Sequence, residues 1–295
     1  MRDFNIEEGL VQVIEALYKN SSSAVLLNKD LGEFFQTTVG VRQGCLLSPV
    51  LFNIYLEKIM QDTLLDHHTS ISIGGRPLCN LRFADDIDLM AGSNNELQVL
   101  TTRLADSAGA YGMEVSHEKS KVMVNSRNDT SADIIMNGQK LEEVNNFKYL
   151  GATLSKDGSC TAEVRIRIAT AMAAMSRLSR LWKSSNISFT TKYRLYQALV
   201  VSILLYGCET WTLLADSERR IQAFETKCLR KLLGISYLEH KTNDYVRKKI
   251  KDLVGPQEPL LATVKQRKLV WFGHVTRHTT LSKTILQGRV EGTRH

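Results

Sequence analysis

Apolar residues recur at helical spacing in several long segments and in short runs between them. In segments 7–19, 94–111 and 164–183, they lie three or four positions apart, which predicts amphipathic helices. Short apolar runs interrupted by turn residues predict hairpins around Gly74-Gly75 and Asn137-Gly138. The pattern therefore predicts a protein that contains both helices and strands.

Further strands and helices follow from the same reasoning. Segments 24–27 and 33–39 are expected to be strands around a turn at 29–32, and 147–154 a strand pair. In the second half, segment 192–206 is apolar nearly all round, which predicts a buried helix. A helix that starts at Asp216 or Ser217 and ends at Gly234 is predicted next.

The segment from Gly40 to Pro49 combines turn residues with the start of a helix. Its glycines let the backbone turn tightly and approach a ligand, and the side chains of Arg42 and Gln43 offer donors at that turn. Ser48 followed by Pro49 predicts an N-cap and a helix that runs to about residue 65. An ordinary loop with a helix cap explains the same residues.

The composition limits the class of protein. The chain has 295 residues, 43% of them hydrophobic, and no apolar run of membrane-spanning length. The first residues lack a signal-peptide pattern, so we expect an intracellular protein, cytoplasmic or nuclear, without a membrane partner. Five widely spaced cysteines without a C-x-x-C pair argue against a disulfide framework and against a zinc ribbon.

Charge divides the chain into two unlike halves. Residues 1–159 hold 14 Lys and Arg against 21 Asp and Glu, and residues 160–295 hold 24 against 10. A basic half of this size favours a polyanionic partner, most simply nucleic acid, although a basic surface also serves solubility alone. In segment 164–183, four basic residues fall on one helical sector and are candidates for contacts with a nucleic-acid backbone: Arg165, Arg177, Arg180 and Lys183.

The segment from Leu81 to Met90 places three aspartates between two apolar arms. It predicts a hairpin whose turn is made by Asp85 and Asp86. Carboxylates buried beside Phe83 and Ile87 would cost several kcal/mol, on the order of a buried unpaired charge, unless a cation offset them. Mg²⁺ bound by one or two carboxylates suits phosphoryl transfer. The alternative is an acidic turn that faces solvent.

Four motifs in this order resemble those of a known family. They are Gly40-Val41-Arg42-Gln43-Gly44-Cys45-Leu46-Leu47-Ser48-Pro49, Phe83-Ala84-Asp85-Asp86, Gly112-Met113-Glu114-Val115-Ser116 with Lys119, and Phe147-Lys148-Tyr149-Leu150-Gly151. Their order and spacing are similar to those of reverse transcriptases of non-LTR (LINE-type) retrotransposons. The segment from Leu205 to Trp211 also looks like the family's sequence.

The resemblance implies an α+β fold of the right-hand polymerase type. Residues 1–158 would form a partial palm, an antiparallel sheet with helices. Residues 159–295 would form an all-helical, basic thumb and connection. The implied activity is RNA-directed DNA polymerase, with an RNA template, a DNA primer, deoxynucleoside triphosphates and Mg²⁺ at a two-metal site.

The resemblance also implies roles for individual residues. Asp85 and Asp86 would be catalytic and hold metal. The template and the incoming nucleotide would contact Arg42, Gln43, Gly44 and Lys119. The primer grip would be segment 147–151, with Phe147, Tyr149, Leu150 and Gly151 as its residues.

One departure from the family pattern sets a further expectation. The family carries a first metal-binding Asp on a strand just upstream of the opening helix, and Asp3 lies in what reads as a helix lead-in. We therefore expect a truncated copy that cannot polymerise alone. The alternative is a non-catalytic nucleic-acid-binding remnant of such a protein.

Overall fold

Helices and short strands both occur in the computed structural model, which describes residues 1–69, 71–125, 131–288 and the backbone of 290–291. The mixed helix and strand composition expected from the sequence is confirmed. The helices are α1 (Glu8–Tyr18), α2 (Ser48–Leu64), α3 (Asn94–Ala110), α4 (Thr161–Arg177), α5 (Ser179–Lys183), α6 (Phe189–Tyr196), α7 (Ser202–Leu204), α8 (Ala215–Leu233), α9 (Asn243–Val254), α10 (Leu260–Arg277) and α11 (Leu281–Gln287).

The strands are short and pair locally. They are β1 (Ser22–Ser23), β2 (Leu26–Leu27), β3 (Asp30–Leu31), β4 (Phe35–Gln36), β5 (Ser72–Ile73), β6 (Arg76–Pro77), β7 (Asn80–Phe83), β8 (Asp86–Leu89), β9 (Lys121–Val122), β10 (Ile135–Met136), β11 (Gln139–Lys140), β12 (Glu142–Glu143), β13 (Asn146–Tyr149), β14 (Ala152–Ser155) and β15 (Val290–Glu291). The pairings are antiparallel except for β9 with β12. Within the described residues they form separate sheets of two or three strands, where the sequence led us to expect one antiparallel palm sheet.

These helices and strands fall into two compact units. The first lies within residues 1–120 and 133–141 and includes β15; the second lies within 121–132 and 142–288. Between residues 159 and 288 all regular elements are helical, as expected, and β15 follows them.

The core of the first unit lies between α2 and α3. Leu56, Ile59 and Met60 of α2 pack with Leu104 and Ala108 of α3, all at most 7% exposed. Their spacing of three or four residues is the helical spacing of the sequence, so the two predicted helices are confirmed. The predicted N-cap is wrong, because α2 begins at Ser48 itself, whose hydroxyl donates to the Arg42 carbonyl at 2.7 Å.

The strands before α2 are shorter than predicted. β2 and β3 form an inner hairpin, and β1 pairs with β4 outside it. The turn lies at Asn28 and Lys29, with φ of 51° and 77°, rather than at 29–32. Two successive residues with positive φ are typical of the tight turns that join twisted strands, which explains the shift.

Helices α4, α6, α7, α8 and α10 enclose the core of the second unit. Its largest fully buried side chain is Trp211, and Trp182 is 4% exposed. The predicted helix 164–183 is broken at Leu178 into α4 and α5. The predicted helix 192–206 is found as α6, a π-helical stretch over Gln197–Val201, and α7. It is buried on one face only, since Leu199 is 43% exposed.

For the later helices, one predicted end is correct, one predicted start is wrong, and one helix was not predicted. Gly234 ends α8 with φ 68°, as predicted, because glycine adopts this left-handed conformation without steric cost. The predicted cap at Asp216 or Ser217 is wrong, since α8 begins at Ala215. The sequence interpretation missed α9, although Thr242 caps it and Val246 and Ile250 are buried four residues apart.

Candidate active site

The aspartate hairpin is formed by β7 and β8. Phe83 pairs with Asp86, and Leu81 pairs with Asp88. The turn is therefore made by Ala84 and Asp85, with Ala84 at φ 52°, and Asp86 is the first residue of β8. The prediction that Asp85 and Asp86 form the turn is therefore wrong by one position, since Asp86 already belongs to β8.

The two faces of this hairpin differ. Residues opposite each other in an antiparallel pair share a face, so Arg82 and Ile87 lie on one side and Asp86 on the other. Ile87 and Leu89 pack on the α2–α3 core, and Arg82 Nη1 lies 2.8 Å from Glu57 Oε2 of α2. The apolar side thus anchors the hairpin and leaves the acidic side free.

The acidic side is not buried, contrary to the expectation from the sequence. Asp85 and Asp86 are exposed, and Phe83 is 64% exposed. Alternation along β8 explains the error, because a strand sends neighbouring side chains to opposite faces. Only Asp88 is partly desolvated, and burial raises the pKa of its carboxyl.

The carboxylates of this hairpin fit a hard divalent cation. Asp85 and Asp86 are adjacent at its tip, and Asp88 shares a face with Asp86. Mg²⁺ uses one or two protein carboxylates and fills its other positions with water or phosphate oxygens, which exposed carboxylates permit. Among residues 1–69, 71–125 and 131–288, no group of three or more His, Cys, Asp or Glu side chains is gathered in a metal-binding arrangement.

The loop from Gly40 to Ser48 is attached to the end of α1. Arg42 donates from Nη2 to the Leu17 carbonyl at 2.6 Å and from Nε to Ser21 Oγ at 3.2 Å. Its guanidinium also lies 5.5 Å from the centre of the Tyr18 ring. Arg42 therefore fixes the loop in place, a role that the sequence analysis did not predict.

The neighbouring loop residues are open to solvent. Gln43 and Gly44 are exposed, and a Cβ at Gly44 would meet nothing within 4 Å. Glycine is favoured there by its φ of 81° rather than by crowding. Lys119 is also exposed, in the turn that precedes β9.

The segment 147–151 forms one arm and the turn of the β13–β14 hairpin. Leu150 and Gly151 make the turn, with φ of 47° and 80°. Phe147 and Tyr149 are partly buried in β13, while Leu150 is 40% exposed. The predicted strand pair is thereby confirmed.

Side chains from α4 and from the residues after α7 hold this turn. Tyr206 Oη donates to the Leu150 carbonyl at 2.7 Å, and Arg167 Nη2 donates to the Gly151 carbonyl. The Arg167 guanidinium lies 4.5 Å from the centre of the Tyr206 ring. Glu163 accepts from Arg167 Nε at 2.5 Å and from the Thr153 backbone N–H at 2.8 Å. We call Glu163, Arg167 and Tyr206 the turn clamp.

Sequence reasoning missed the turn clamp. Glu163 and Arg167 are four residues apart on a helix, a spacing typical of exposed ion pairs, yet Glu163 is only 3% exposed. The apolar pattern gave no signal of this burial, because Glu163 lies about 100° around the helix from Val164, outside the apolar sector. A buried carboxylate needs partners, since burying an unpaired charge is costly.

The four basic candidates of α4 and α5 are all exposed. They are Arg165, Arg177, Arg180 and Lys183. None forms an ion pair within the part of the chain that the structure describes. Their charges are therefore available to an anionic partner.

No helix of the described residues is both long enough and apolar enough to cross a membrane. The cellular compartment stays a prediction.

Comparison with known proteins identifies a family to which this chain is similar. Residues 1–154 match the family model described as reverse transcriptase (RNA-dependent DNA polymerase). A transposon-derived protein of Caenorhabditis elegans is 31% identical over 211 residues, which cover 70% of this chain and 74% of that protein.

Two further relatives are retrotransposon proteins. The RNA-directed DNA polymerase from mobile element jockey of Drosophila melanogaster is 22% identical over 66% of this chain and 22% of its own length. The Pol polyprotein from type-1 retrotransposable element R2 of Nasonia vitripennis is 26% identical over 51% of this chain and 16% of its own length. The chain thus spans about a fifth of these longer polymerases.

The match covers more than half of the chain and includes the loop at 40–49, the aspartate hairpin and the turn at 150–151. The relatives named above come from transposable elements. The chain belongs to the reverse transcriptase family, the RNA-dependent DNA polymerases, and is related to those of non-LTR retrotransposons.

Proposed function

We propose that this chain carries part of the centre that adds deoxynucleotides to a primer 3′ hydroxyl on an RNA template. The observation that carries the proposal is the position of Asp85 and Asp86, adjacent and exposed at the tip of a hairpin anchored by Ile87 and Leu89. Such carboxylates can hold Mg²⁺ beside a triphosphate without first breaking an ion pair.

The residues of the chain would divide the work as follows. Asp85 and Asp86 would hold Mg²⁺, which when bound would stabilise the attacking and leaving oxygens. Gln43, Gly44 and Lys119 lie along the template and the incoming nucleotide, and Arg42 holds the loop of Gln43 and Gly44 to α1. The turn at Leu150 and Gly151 positions the primer end.

The rest of the chain would serve binding. Residues 1–158 act as a partial palm, and residues 159–295 as a thumb and connection. Arg165, Arg177, Arg180 and Lys183 contact backbone phosphates, which are the main source of affinity for nucleic acid.

We further propose that the chain does not polymerise when it acts alone. Asp85 and Asp86 supply two carboxylates, and the resemblance implies that the family's chemistry uses a third from another motif. A non-catalytic nucleic-acid-binding remnant is the second candidate, favoured by the exposed basic residues of α4 and α5.

Primer extension separates the two candidates. The chain is assayed alone and as a fusion behind the segment of a relative's polymerase that carries the first catalytic aspartate. We expect salt-sensitive binding of primed RNA by both proteins and incorporation by the fusion protein alone. Asp85→Asn with Asp86→Asn should abolish incorporation and leave binding within about twofold.

Two results would count against the proposal. A well-folded fusion protein that binds primed RNA without any incorporation would favour the non-catalytic remnant. Incorporation by the chain alone that depends on Asp85 and Asp86 would show that another acid completes the site.

A further inference from the structure

A cavity in the second unit lies apart from the residues assigned above. It is bounded by α6, α8, α9 and segment 255–259 and has a volume of about 590 Å³. Tyr193, Leu229 and Ile250 give it apolar walls. Its volume is in the usual range for sites that bind small molecules, which is roughly 300–1,000 Å³.

Glu225 lines this cavity and carries a buried acceptor. The residue is 8% exposed, and its Oε1 accepts from the Leu260 backbone N–H at 3.0 Å, where α10 begins. Its Oε2 is buried and has no hydrogen-bond partner among the described residues. Burial raises the pKa of this carboxyl, while the Leu260 N–H and the positive charge of Arg247 act in the opposite direction. A ligand that donates to Oε2 would satisfy an acceptor whose isolation destabilises the fold.

The mouth of the cavity is basic. Arg247, Lys248 and Lys251 line it, against one acidic residue there, Asp252. None of the three basic residues forms an ion pair within the described part of the chain. The mouth therefore attracts an anion and disfavours a cationic peptide, although the buried acceptor requires a donor.

A nucleotide combines these opposite requirements in one molecule. Its phosphates are anionic, its base is flat and apolar on both faces, and three of the four RNA bases carry an exocyclic amino donor. Carboxylates accept from the cytosine amino group in known readout, and aromatic side chains stack on unpaired bases. Tyr193 provides an aromatic ring in the wall.

We propose that this cavity binds one unstacked nucleotide of a single strand, with the amino group of its base donating to Glu225 Oε2. The phosphates on either side of that nucleotide lie at Lys248 and Lys251. The site selects a base with an amino group, such as cytosine, over uracil, which presents a carbonyl oxygen at the same position. This selection among bases does not depend on Asp85 or on DNA synthesis by the chain.

Binding of two labelled RNA pentamers, oligocytidylate and oligouridylate, tests the proposal by fluorescence anisotropy at two salt concentrations. We expect the chain to prefer cytidylate by about tenfold. Glu225→Gln keeps a carbonyl to accept from Leu260 and turns the free acceptor into an amide donor. Its preference should fall to about one or reverse, whatever the outcome of primer extension.

Two neighbouring lysines of α9 form a matched pair of controls. Lys248 lines the cavity and Lys249 does not, and both are exposed. Lys248→Gln should weaken both pentamers about threefold more than Lys249→Gln without changing the preference for cytidylate. Equal affinities of the unmodified chain for the two pentamers would overturn the proposal, as would a preference that survives Glu225→Gln. If Glu225→Gln fails to fold, equal effects of the two lysine variants would overturn it.

Discussion

Cys45 shows how the loop at 40–49 shapes the chemistry of one side chain. The Leu47 backbone N–H, then Ser48 and Arg42, lower the pKa of its thiol, because they favour the thiolate. Cys228 is fully buried, and desolvation raises the pKa of its thiol to about 12. Cysteines in one chain thus differ widely in their ability to react.

Alkylation at neutral pH should follow this order. We expect iodoacetamide to modify Cys45 at least tenfold faster than Cys228, because the thiolate is the reactive form. Peptide mass spectrometry over time measures both rates in one sample. Cys45→Ser is the control, and comparable rates at the two cysteines would show that burial does not protect Cys228.

Individual residues also show where sequence reasoning stops. Gly234 and Asn137-Gly138 were predicted correctly because their backbone conformations are local preferences. The exposure of Asp86 and the burial of Glu163 were not, since both depend on which side of the element packs against its neighbours. Charge and spacing alone do not specify which face of a strand or helix meets the core.

The β13–β14 hairpin is the element most constrained by its surroundings. A Cβ at Gly151 would lie 3.2 Å from Tyr206 Oη, in addition to the strain of φ 80°. Gly138, in the turn between β10 and β11, has a similar φ of 76° and nothing within 4 Å of the same position. Comparing the same substitution at the two glycines therefore distinguishes the effect of crowding by Tyr206 from the effect of backbone strain.

Gly151→Ala should destabilise the protein more than Gly138→Ala. We expect about 1 kcal/mol for the backbone conformation alone at Gly138 and roughly 1–2 kcal/mol more at Gly151, where Tyr206 must move. Urea denaturation measures both free energies of unfolding. Equal losses would indicate that Tyr206 does not contact the turn.

Elements were predicted better than their arrangement. The helices α2, α3 and α8 and the hairpins at 72–77 and 135–140 follow from periodicity and turn residues. The break at Leu178 and the π-helical stretch after α6 leave no clear mark in the apolar pattern, because both are responses to packing. The right-hand arrangement and the boundary at residue 158 stay predictions.

Over the whole molecule, charge is the property that sequence reveals most directly. The second half carries 24 basic against 10 acidic residues, and its helices α4 and α5 expose Arg165, Arg177, Arg180 and Lys183. Neutralised phosphates release counterions, so affinity for nucleic acid should fall steeply with salt.

Replacing these four basic residues by Gln tests their part in binding. We expect the slope of log affinity for primed RNA against log salt to become shallower by about three units, since each phosphate contact contributes about 0.7–0.9. The control replaces Lys19, Lys29 and Arg76 of the acidic half and should change the slope by less than about one. Similar changes in both variants would place the contacts elsewhere.

Metal binding at Asp85 and Asp86 is tested most directly by electron paramagnetic resonance of Mn²⁺ titrated into the chain with a deoxynucleoside triphosphate. We expect bound Mn²⁺ in the unmodified chain and a loss of at least fivefold in affinity with Asp85→Asn and Asp86→Asn. Asp30→Asn with Asp106→Asn removes two other exposed carboxylates and should leave the affinity unchanged. Equal Mn²⁺ binding by all three proteins would contradict the assignment of the metal site to the tip of the β7–β8 hairpin.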